Sequence, residues 1–471
     1  MPTDQHSNDL PGPDADDALP APLYIRATPQ VLAYEKRQRI AEGAAIEAVE
    51  TDLDRLLNAD EFTRQDLTAG FALTRDRPVR EAYPYEEPLA LDEIRDRRPA
   101  GPRRLDRGFT DLADPYETLY TGWLGAVAGC LLGNPVEGWT RDRIRGFLEE
   151  SGQYPVSGYL RSDVSETVAT KYDIYRNVET ADPAESMFVN DIDTVPSDDD
   201  IDYLLLNLAV VDEHGLSFRP VDVADRWLRS LPVLGTYTAE RVAYRNLVTQ
   251  VMPPESGRRH NPYREHVGAM IRGDIWGYLS VGAPERAAEL AWRAASISHR
   301  KNGIYGAMWT AAMAAAAPFV SDPVALVNVG LSEVPATSRL ADELTDVLRW
   351  YANDVEYEQA VNRVHERWDE TDEFEWVHTL SNAQILSIGL LWGDGAFEPA
   401  VRRAVQAGFD TDSHGATLGS LTGLMAGADG LPDRWVEPLN DRVGTGVAGT
   451  SPRRISTLAD RTLDLACDQP P

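Results

Sequence analysis

The most constraining feature of this sequence is a row of glycines that follows two closely spaced aspartates. In the run GFDTDSHGATLGSLTGLMAG, a glycine recurs at every fourth position, at Gly415, Gly419, Gly423 and Gly427. Residues four apart lie on the same face of an α-helix, so a helix with such a face can approach a neighbour very closely. The pattern therefore predicts a helix that begins at the aspartates and packs tightly against another element.

A second stretch has the same glycine-rich texture. In YETLYTGWLGAVAGCLLGNPVEGW the glycines stand three or four residues apart, at Gly122, Gly125, Gly129 and Gly133. Each glycine inside a helix costs about 1 kcal/mol relative to alanine, so close packing must compensate for so many. We predict a second tightly packed helix that ends at Asn134-Pro135. Glu137 projects from the loop just beyond, and an ordinary solvated glutamate is the alternative interpretation.

The rest of the chain also favours helices. Apolar residues recur at helical spacing, whereas the alternation of apolar and polar residues that is typical of strands is scarce. We therefore predict an all-α fold, and 471 residues suffice for a large domain with an extension. The acidic residues 1–22 are predicted to be disordered, residues 23–110 to form a helical extension and linker, and residues 111–465 to form the main domain.

Charge and composition exclude several classes of protein. The formal net charge of −31 argues strongly against a surface that binds nucleic acid. The sequence has no stretch of about 18 uninterrupted apolar residues, so no membrane span is expected. The N-terminus lacks the apolar core of a signal peptide, and the two cysteines, Cys130 and Cys467, suggest neither a disulfide framework nor a zinc site. We expect a soluble cytoplasmic protein.

Two acidic clusters stand out because each precedes a helix. The first is Pro196-Ser-Asp-Asp-Asp200, ahead of an apolar run. Ser197 and Asp200 fit a capping box, which is the purely structural explanation. Three adjacent carboxylates repel one another, however, and a cap needs only one or two of them. A calcium-binding EF-hand is excluded because Tyr203 stands where its loop requires glycine.

The second cluster, Asp410-Thr-Asp-Ser413, also permits a structural explanation, because acids in a first turn favour the helix dipole. If the two helices lie side by side, however, as many as four carboxylates and two hydroxyls converge, which is tolerable only with cations between them. Oxygen ligands without histidine or cysteine select Mg²⁺, Mn²⁺ or Ca²⁺. Two such ions could orient a diol or a phosphate and polarise a water molecule. The predicted ligands are Ser197, Asp198, Asp199, Asp410, Asp412 and Ser413.

One glycine motif near the C-terminus has a different implication. The run Gly444-Thr-Gly446-Val-Ala-Gly449 satisfies the G-x-G-x-x-G pattern of dinucleotide-binding sites. No apolar strand precedes this run, and Pro452 follows where such a site needs a helix. The context therefore strongly disfavours a dinucleotide-binding site here.

The order of these motifs resembles the ADP-ribosylglycohydrolase family, which includes bacterial dinitrogenase-reductase-activating glycohydrolase and the eukaryotic ADP-ribosyl-acceptor hydrolases. The shared order is G-x-x-x-G-x-x-x-G-x-P-x-E, then a hydroxyl-Asp-Asp cluster that opens a helix, then G-x-D-T-D-[ST] before a glycine-spaced helix. The resemblance covers about Tyr116 to Leu465, and the last motif is the most specific. It implies a compact, multi-helix, all-α globule with a dinuclear Mg²⁺ site, preceded here by an N-terminal helical extension.

The resemblance also implies roles for individual residues. The metal ligands of the family, Thr-Asp-Asp and Asp-x-Asp-Thr, correspond here to Ser197, Asp198 and Asp199 and to Asp410, Asp412 and Ser413. Glu137 matches the catalytic glutamate that positions or deprotonates the attacking water. The substrate-binding positions of the ADP-ribose pocket correspond to Gly268, Ala269, His299 and Asn302.

Three departures from the family pattern concern the same regions. Serine replaces threonine in both ligand sets, which preserves the oxygen. Asp200 stands where the usual motif has a second threonine, and Cys130 replaces an aspartate that is common after the equivalent glycine. These differences bear on acceptor specificity more than on metal binding.

The resemblance implies a Mg²⁺-dependent hydrolase that removes ADP-ribose from an acceptor by attack of water at C1″, with two Mg²⁺ ions, or Mn²⁺, as cofactors. The acceptor is a protein side chain, a nucleobase or a small molecule, and nothing in the sequence chooses among them. Two alternatives stay open. A non-catalytic ADP-ribose-binding or structural protein could use the same scaffold, and a metal-dependent hydrolase could act on another ribosyl or phosphate compound.

Overall fold

The computed structural model describes residues 28–174, 187–449 and 453–467, so the predicted disorder of residues 1–22 lies outside the described part of the chain. The described residues form α-helices joined by loops and 3₁₀ turns, with isolated β-bridges and no strand. The predicted all-α class is confirmed. None of these helices is long and apolar enough to cross a lipid bilayer.

The chain divides into two compact units, residues 1–80 and residues 81–471. This division lies earlier in the chain than the predicted start of the main domain at residue 111, and the domain assignment made from the sequence stays a prediction. The described helices of the first unit are α1 (Pro29–Ala41), α2 (Glu50–Leu57) and α3 (Arg64–Thr74). Each of them contributes buried apolar side chains to one small core, among them Leu32, Leu53 and Phe71.

The second unit contains the other described helices, numbered here in chain order. The first nine are α4 (Leu91–Arg97), α5 (Pro115–Gly133), α6 (Arg141–Ser151), α7 (Glu166–Lys171), α8 (Asp199–His214), α9 (Pro220–Ser230), α10 (Thr238–Val248), α11 (Asp274–Tyr278) and α12 (Pro284–Ala295). The next nine are α13 (Asn302–Ala316), α14 (Pro323–Leu331), α15 (Arg339–Ala352), α16 (Tyr357–His365), α17 (Thr379–Trp392), α18 (Phe397–Gln406), α19 (Thr411–Ala426), α20 (Asp433–Val436) and α21 (Ile455–Cys467). A 3₁₀ segment, Val267–Arg272, precedes α11.

The backbones of α5 and α19 touch along the glycines that the sequence singles out. A Cβ atom on Gly129 would lie 1.8 Å from the carbonyl oxygen of Gly415, and one on Gly419 would lie 1.9 Å from that of Gly125. Because later positions of α5 meet earlier positions of α19, the two helices are antiparallel. The predicted close packing of both glycine-rich helices is confirmed, and each is the other's partner. Gly427 instead ends α19 with a positive φ of 56°.

The same contact places the C-terminus of α5 relative to the N-terminus of α19. A Cβ atom on Gly133 would lie 2.2 Å from the carbonyl oxygen of Thr411, whose hydroxyl group in turn donates to the carbonyl oxygen of Gly133 at 2.9 Å. The C-terminus of α5 therefore lies against the first turn of α19. The residues that follow α5, Asn134 and Glu137 among them, emerge beside Asp412.

Gly129→Ala should destabilise the protein by about 3 kcal/mol or more, because the new methyl group would collide with backbone atoms of α19 that have no flexible side chain to move aside. Urea denaturation of the variant and the wild type measures the change in the free energy of unfolding. Gly158→Ala is the matched control, since a Cβ atom there would meet no atom of the described residues within 4 Å. Equal stability of the two variants would contradict the contact.

Glu343 on α15 makes stability depend on pH. Its side chain is 3% exposed, accepts a hydrogen bond from Gln384 at 2.9 Å and lies 2.6 Å from the guanidinium group of Arg367. Burial outweighs the attraction of Arg367 and raises the pKa of Glu343 from 4.5 to about 7. The folded state therefore holds this proton more tightly than the unfolded state does. The resulting contribution to stability is complete below pH 4.5 and is lost as the pH rises through 7.

Glu343→Gln should therefore gain stability relative to the wild type as the pH rises from 5 to 8, by up to about 3 kcal/mol, because glutamine has no charge to bury. Urea denaturation at several pH values in this range measures the difference. Glu366→Gln, which removes an exposed carboxylate at the end of α16, controls for the change in net charge. A difference that stays constant with pH would contradict the raised pKa of Glu343.

Candidate active site

The second acidic cluster begins α19. Asp410 is the N-cap residue and Asp412 lies in the first turn, and both side chains are buried. Gly408 and Phe409 have φ angles of 83° and 58°, so the backbone turns sharply just before the cluster. The backbone N–H of Asp410 donates to the side-chain oxygen of Asn382 at 3.2 Å, which fixes the start of α19 against α17. The two carboxylates are thus held on well-supported backbone.

The first acidic cluster begins α8, and Asp198 rather than Ser197 caps this helix. Asp198 Oδ1 accepts the backbone N–H of Asp200 at 2.8 Å, and its Oδ2 accepts a side-chain N–H of Asn134 at 2.8 Å. The alternative of a capping box between Ser197 and Asp200 is therefore wrong. Because Asn134 directly follows α5, this second hydrogen bond joins the first cluster to the end of the glycine contact.

The hydroxyl group of Ser413 connects the two clusters. Its oxygen lies 2.9 Å from Asp410 Oδ2 and 3.1 Å from Asp200 Oδ2. The starts of α8 and α19 therefore meet, as the sequence predicts. Carboxylate oxygens approach within 4.8 Å of one another in two groups, one formed by Glu137, Asp410 and Asp412 and the other by Asp198, Asp199 and Asp200.

The carboxylates of these two groups have no basic partner among the described residues, because none of the described ion pairs includes them. Burial, followed by repulsion from neighbouring acids, raises the pKa values of Asp199, Asp200 and Asp412 well above their usual range. Burial likewise raises the pKa of Asp410 to about 6. Oδ1 of Asp200 and Oδ1 of Asp412 are buried without a hydrogen-bond partner among the described residues. Such oxygens fit hard divalent cations, which would supply both the missing positive charge and the missing partners.

Glu137 lies at the solvent-exposed side of these clusters. Its backbone N–H donates to the carbonyl oxygen of Asn134 at 3.2 Å in the turn after α5, and its side chain is exposed. Although solvent reaches the carboxyl group, desolvation by the surrounding protein atoms, followed by repulsion from Asp410 and Asp198, raises its pKa to about 8. A carboxylate in this position is suited to accept a proton from a water molecule at the clusters.

Sequence reasoning missed two residues of this region. Asp200 is 1% exposed and contributes an oxygen to the first group, although it is not among the predicted ligands. Its place in the first turn of α8, directly after Asp199, was the available signal. Tyr237 is 53% exposed, and desolvation by the surrounding protein atoms, followed by the charges of Asp199 and Glu137, raises its pKa to about 12. A single aromatic residue in a loop gives no sequence signal of this kind.

Cys130 lies close to the buried acids. Its thiol is fully buried, and Sγ lies 3.8 Å from Asn134 Oδ1. Burial, followed by the charges of Asp198, Asp200 and Asp412, raises the pKa of the thiol well above its usual range. The cysteine is therefore neutral and adds no further negative charge to a region that already carries several.

Two of the predicted substrate-binding segments meet around a buried ion pair. Glu240 and Arg272 lie 2.9 Å apart, and Arg272 also donates to the hydroxyl group of Ser298. The carboxylate of Glu240 would lie within 2.6 Å of a Cβ atom on Gly268, so a side chain at this position would displace that carboxylate. His299 is fully buried, with Nδ1 2.9 Å from the hydroxyl oxygen of Ser298. The ion pair thus joins Gly268 to His299.

The other two predicted substrate-binding residues, Ala269 and Asn302, are both fully buried. Ala269 lies in the first turn of the 3₁₀ segment. Asn302 Nδ2 donates to the carboxylates of Glu87 and Glu265 at 2.7 and 2.8 Å, and Asn302 Oδ1 accepts the backbone N–H of Leu340 at 3.0 Å. Both amide hydrogens and the amide oxygen are engaged within the protein. This arrangement favours a supporting position for Asn302 over the predicted direct contact with substrate.

The glycine motif near the C-terminus supports the first acidic cluster. Asp202, in the first turn of α8, accepts hydrogen bonds from the hydroxyl group of Thr445 at 2.6 Å and from the backbone N–H of Gly446 at 2.9 Å. The backbone N–H of Gly444 donates to the carbonyl oxygen of Val195 at 2.7 Å. The loop therefore contacts the chain both before and after the first cluster, which gives the motif a structural role.

In sequence, the chain is similar to one known family. A model of the ADP-ribosylglycohydrolase family matches residues 111–470, which include both acidic clusters. Among solved structures, one described as an ADP-ribosylglycohydrolase-related protein complex is 19% identical, with a TM-score of 0.44, and the match covers 76% of this chain and 99% of that chain. Comparison with curated proteins finds no match.

Thr445→Val should destabilise the protein by about 1–2 kcal/mol, because the buried carboxylate of Asp202 loses a donor. If the clusters bind Mg²⁺ and the protein is stabilised by it, the variant should also show a smaller rise in thermal midpoint on addition of Mg²⁺, since the start of α8 is less firmly held. Thermal unfolding with and without Mg²⁺ measures both effects. Thr68→Val is the control, because that exposed hydroxyl group bonds only to its own helix backbone. If both threonine variants respond to Mg²⁺ as the wild type does, the loop does not support the cluster.

Proposed function

The chain belongs to the ADP-ribosylglycohydrolase family and is a hydrolase of this type, and we propose that it removes ADP-ribose from an acceptor by attack of water at C1″ of the ribose. The position of Ser413 supports this proposal most directly. Its hydroxyl oxygen lies within 3.1 Å of carboxylates from both acidic clusters, so two sets of potential ligands from distant parts of the sequence converge.

The proposed cofactors are two Mg²⁺ ions, for which Mn²⁺ could substitute because it prefers the same oxygen ligands. The absence of basic partners among the described residues and the unpaired oxygens of Asp200 and Asp412 support a cation site. When bound, the ions would hold the 2″ and 3″ hydroxyl groups of the ribose and polarise the attacking water. Their proposed ligands are Ser197, Asp198, Asp199, Asp410, Asp412 and Ser413, with Asp200 as an addition.

Glu137 is the proposed general base. It shares a group of closely spaced carboxylate oxygens with Asp410 and Asp412, and its exposure lets water reach it. The oxygen of the water molecule bonds to C1″, and one of its protons passes to Glu137. The bond between C1″ and the acceptor breaks, and its electron pair leaves with the acceptor.

The proposed substrate pocket has Gly268, Ala269 and His299 in its wall. Backbone N–H groups of Gly268 and Ala269 are proposed to bind the diphosphate of ADP-ribose. A side chain at Gly268 would have to displace the carboxylate of Glu240, and glycine avoids this. Burial, followed by the charge of Arg272, lowers the pKa of His299 well below its usual range, so its imidazole is neutral. Asn302 is assigned to the support of this wall.

The acceptor stays open between a protein side chain, a nucleobase and a small molecule. The net charge of −31 disfavours a nucleic acid strand, because its phosphates would be repelled. A second candidate function is hydrolysis of another ribosyl or phosphate compound, since the same oxygen ligands would serve any substrate with adjacent hydroxyl groups or a phosphate. A non-catalytic protein is disfavoured by the retention of an oxygen side chain at every proposed ligand position.

Asp412→Asn should reduce release of ADP-ribose at least about 100-fold. It should also abolish the Mg²⁺-dependent strengthening of ADP-ribose binding in calorimetry. Because the substitution removes a buried carboxylate whose pKa is well above its usual range, the metal-free variant should be no less stable than the wild type. Loss of activity in a stable variant then separates a role at the site from unfolding.

Asp193→Asn is the matched control, since it removes one exposed aspartate upstream of the first cluster. If neither Mg²⁺ nor the Asp412 substitution changes the binding of ADP-ribose, the two-cluster site is wrong.

A panel of ADP-ribosylated proteins, nucleic acids and small molecules identifies the acceptor. Hydrolysis of other ribosyl or phosphate compounds in the absence of ADP-ribose release would favour the second candidate.

A further inference from the structure

A buried ion-pair network links residues 81–110 to the proposed substrate wall. Glu87 lies upstream of the residues that match the family, and its side chain is 1% exposed. Both of its oxygens accept hydrogen bonds from the guanidinium group of Arg339, at 2.8 Å from Nε and 2.9 Å from Nη2. Nη2 of Arg339 also lies 2.7 Å from the carboxylate of Glu265, just before Gly268. One guanidinium group thus joins the upstream segment to the wall.

Asn302, the first residue of α13, completes this network. Its side-chain nitrogen donates to Glu87 at 2.7 Å and to Glu265 at 2.8 Å. The backbone N–H of Arg300 donates to the carbonyl oxygen of Arg264 at 2.9 Å, so the chain before α13 and the chain before the 3₁₀ segment also touch directly. The two segments that carry the proposed substrate-binding residues are therefore held together by one network, and Glu87 belongs to it.

Glu87 carries one of the negative charges of this network. Two carboxylates, Glu87 and Glu265, share the guanidinium group of Arg339, and the ammonium group of Lys301 lies 3.7 Å from Glu87. In a buried site, a charged group that loses its partner is costly, and the remaining groups shift to find new partners. Removal of the Glu87 charge therefore acts on Arg339 and Asn302 together.

We propose that Glu87 is a positioning residue for the ADP-ribose site, and that residues 81–110 are part of the working enzyme although they precede the residues that match the family. The inference rests on the proposed function. Glu87 acts by fixing where Glu265 and Asn302 hold the two wall segments. The proposed metal ligands begin α8 and α19 and have separate supports. Binding of ADP-ribose should therefore depend on Glu87, whereas binding of Mg²⁺ should not.

The test compares Glu87→Gln with Glu86→Gln in the full chain. Glu87→Gln keeps the shape of the side chain but removes the charged acceptor of Arg339. We expect the Kd for ADP-ribose and the KM for its release to rise about tenfold, while kcat changes by less than about twofold and calorimetric titration with Mg²⁺ matches the wild type. Glu86 is 66% exposed and pairs with Arg97 at the surface. The Glu86 variant should leave all of these values unchanged.

Two further comparisons extend the test, and the first of them also serves if Glu87→Gln folds poorly. Glu87→Asp retains the charge but shortens its reach, and should give a smaller rise in the same Kd and KM. In an Asn302→Ala background, Glu87→Gln should raise KM by less than it does in the wild type, because one of the groups through which it acts is already gone. A folded Glu87 variant with a lower thermal midpoint but wild-type Kd and KM would overturn the inference, since Glu87 would then be merely structural.

The two proposals fail in different ways. If the wild type neither binds nor releases ADP-ribose, the proposed function fails. If the wild type binds ADP-ribose and Glu87→Gln binds it equally well, only the role of Glu87 fails. Hydrogen exchange gives a readout without substrate: the amides of residues 264–269 should exchange faster in Glu87→Gln than in Glu86→Gln. Equal exchange in the two variants would contradict the positioning of the wall by Glu87.

Discussion

The backbone contact between α5 and α19 determines where this chain can place its chemistry. Glycine on both helices brings backbone against backbone, so the register of one helix on the other is fixed by collisions that no side chain can relieve. The register in turn sets Asp412 beside the turn that follows α5. From that turn, Asn134 reaches Asp198 and Glu137 faces the carboxylates of α19. Both acidic clusters thus take their positions from one helix pair.

The same arrangement creates an electrostatic difficulty. It buries several carboxylates near one another without a basic residue among their described partners, and burial raises the pKa values of Asp199, Asp200 and Asp412 well above normal. A fold could avoid this with apolar residues of similar size, since uncompensated buried charge is strongly unfavourable. Retention of the acids is understandable if cations are bound in the functional state. The electrostatics therefore support the same kind of site as the oxygen-only chemistry of the ligands.

Sequence reasoning predicted the features that short motifs carry, and it missed the contacts made by residues outside any motif. The glycine spacing predicted the two helices of the central contact, and the position of each acidic cluster predicted the start of a helix. The meeting of Asp200 with Ser413 spans 213 residues, but both lie in recognisable clusters, so it could be anticipated in outline. The pair of Glu87 and Arg339 spans 252 residues, and neither residue lies in a motif. Asn302 lies in a motif, but the motif does not reveal that its amide is engaged within the protein, and its predicted contact with substrate stays a prediction.

The candidate site has two halves with separate supports. The carboxylates depend on the helix contact and on the loop that bonds to Asp202, whereas the proposed substrate wall depends on the ion pairs of Glu240 and of Arg339. Charged groups support the wall, and they are paired within the protein, so the wall can be formed without a ligand. The acids lack such pairing and would be completed by cations. The proposed wall therefore has its charges paired within the protein, whereas the acidic clusters have potential ligands whose charge bound cations would balance.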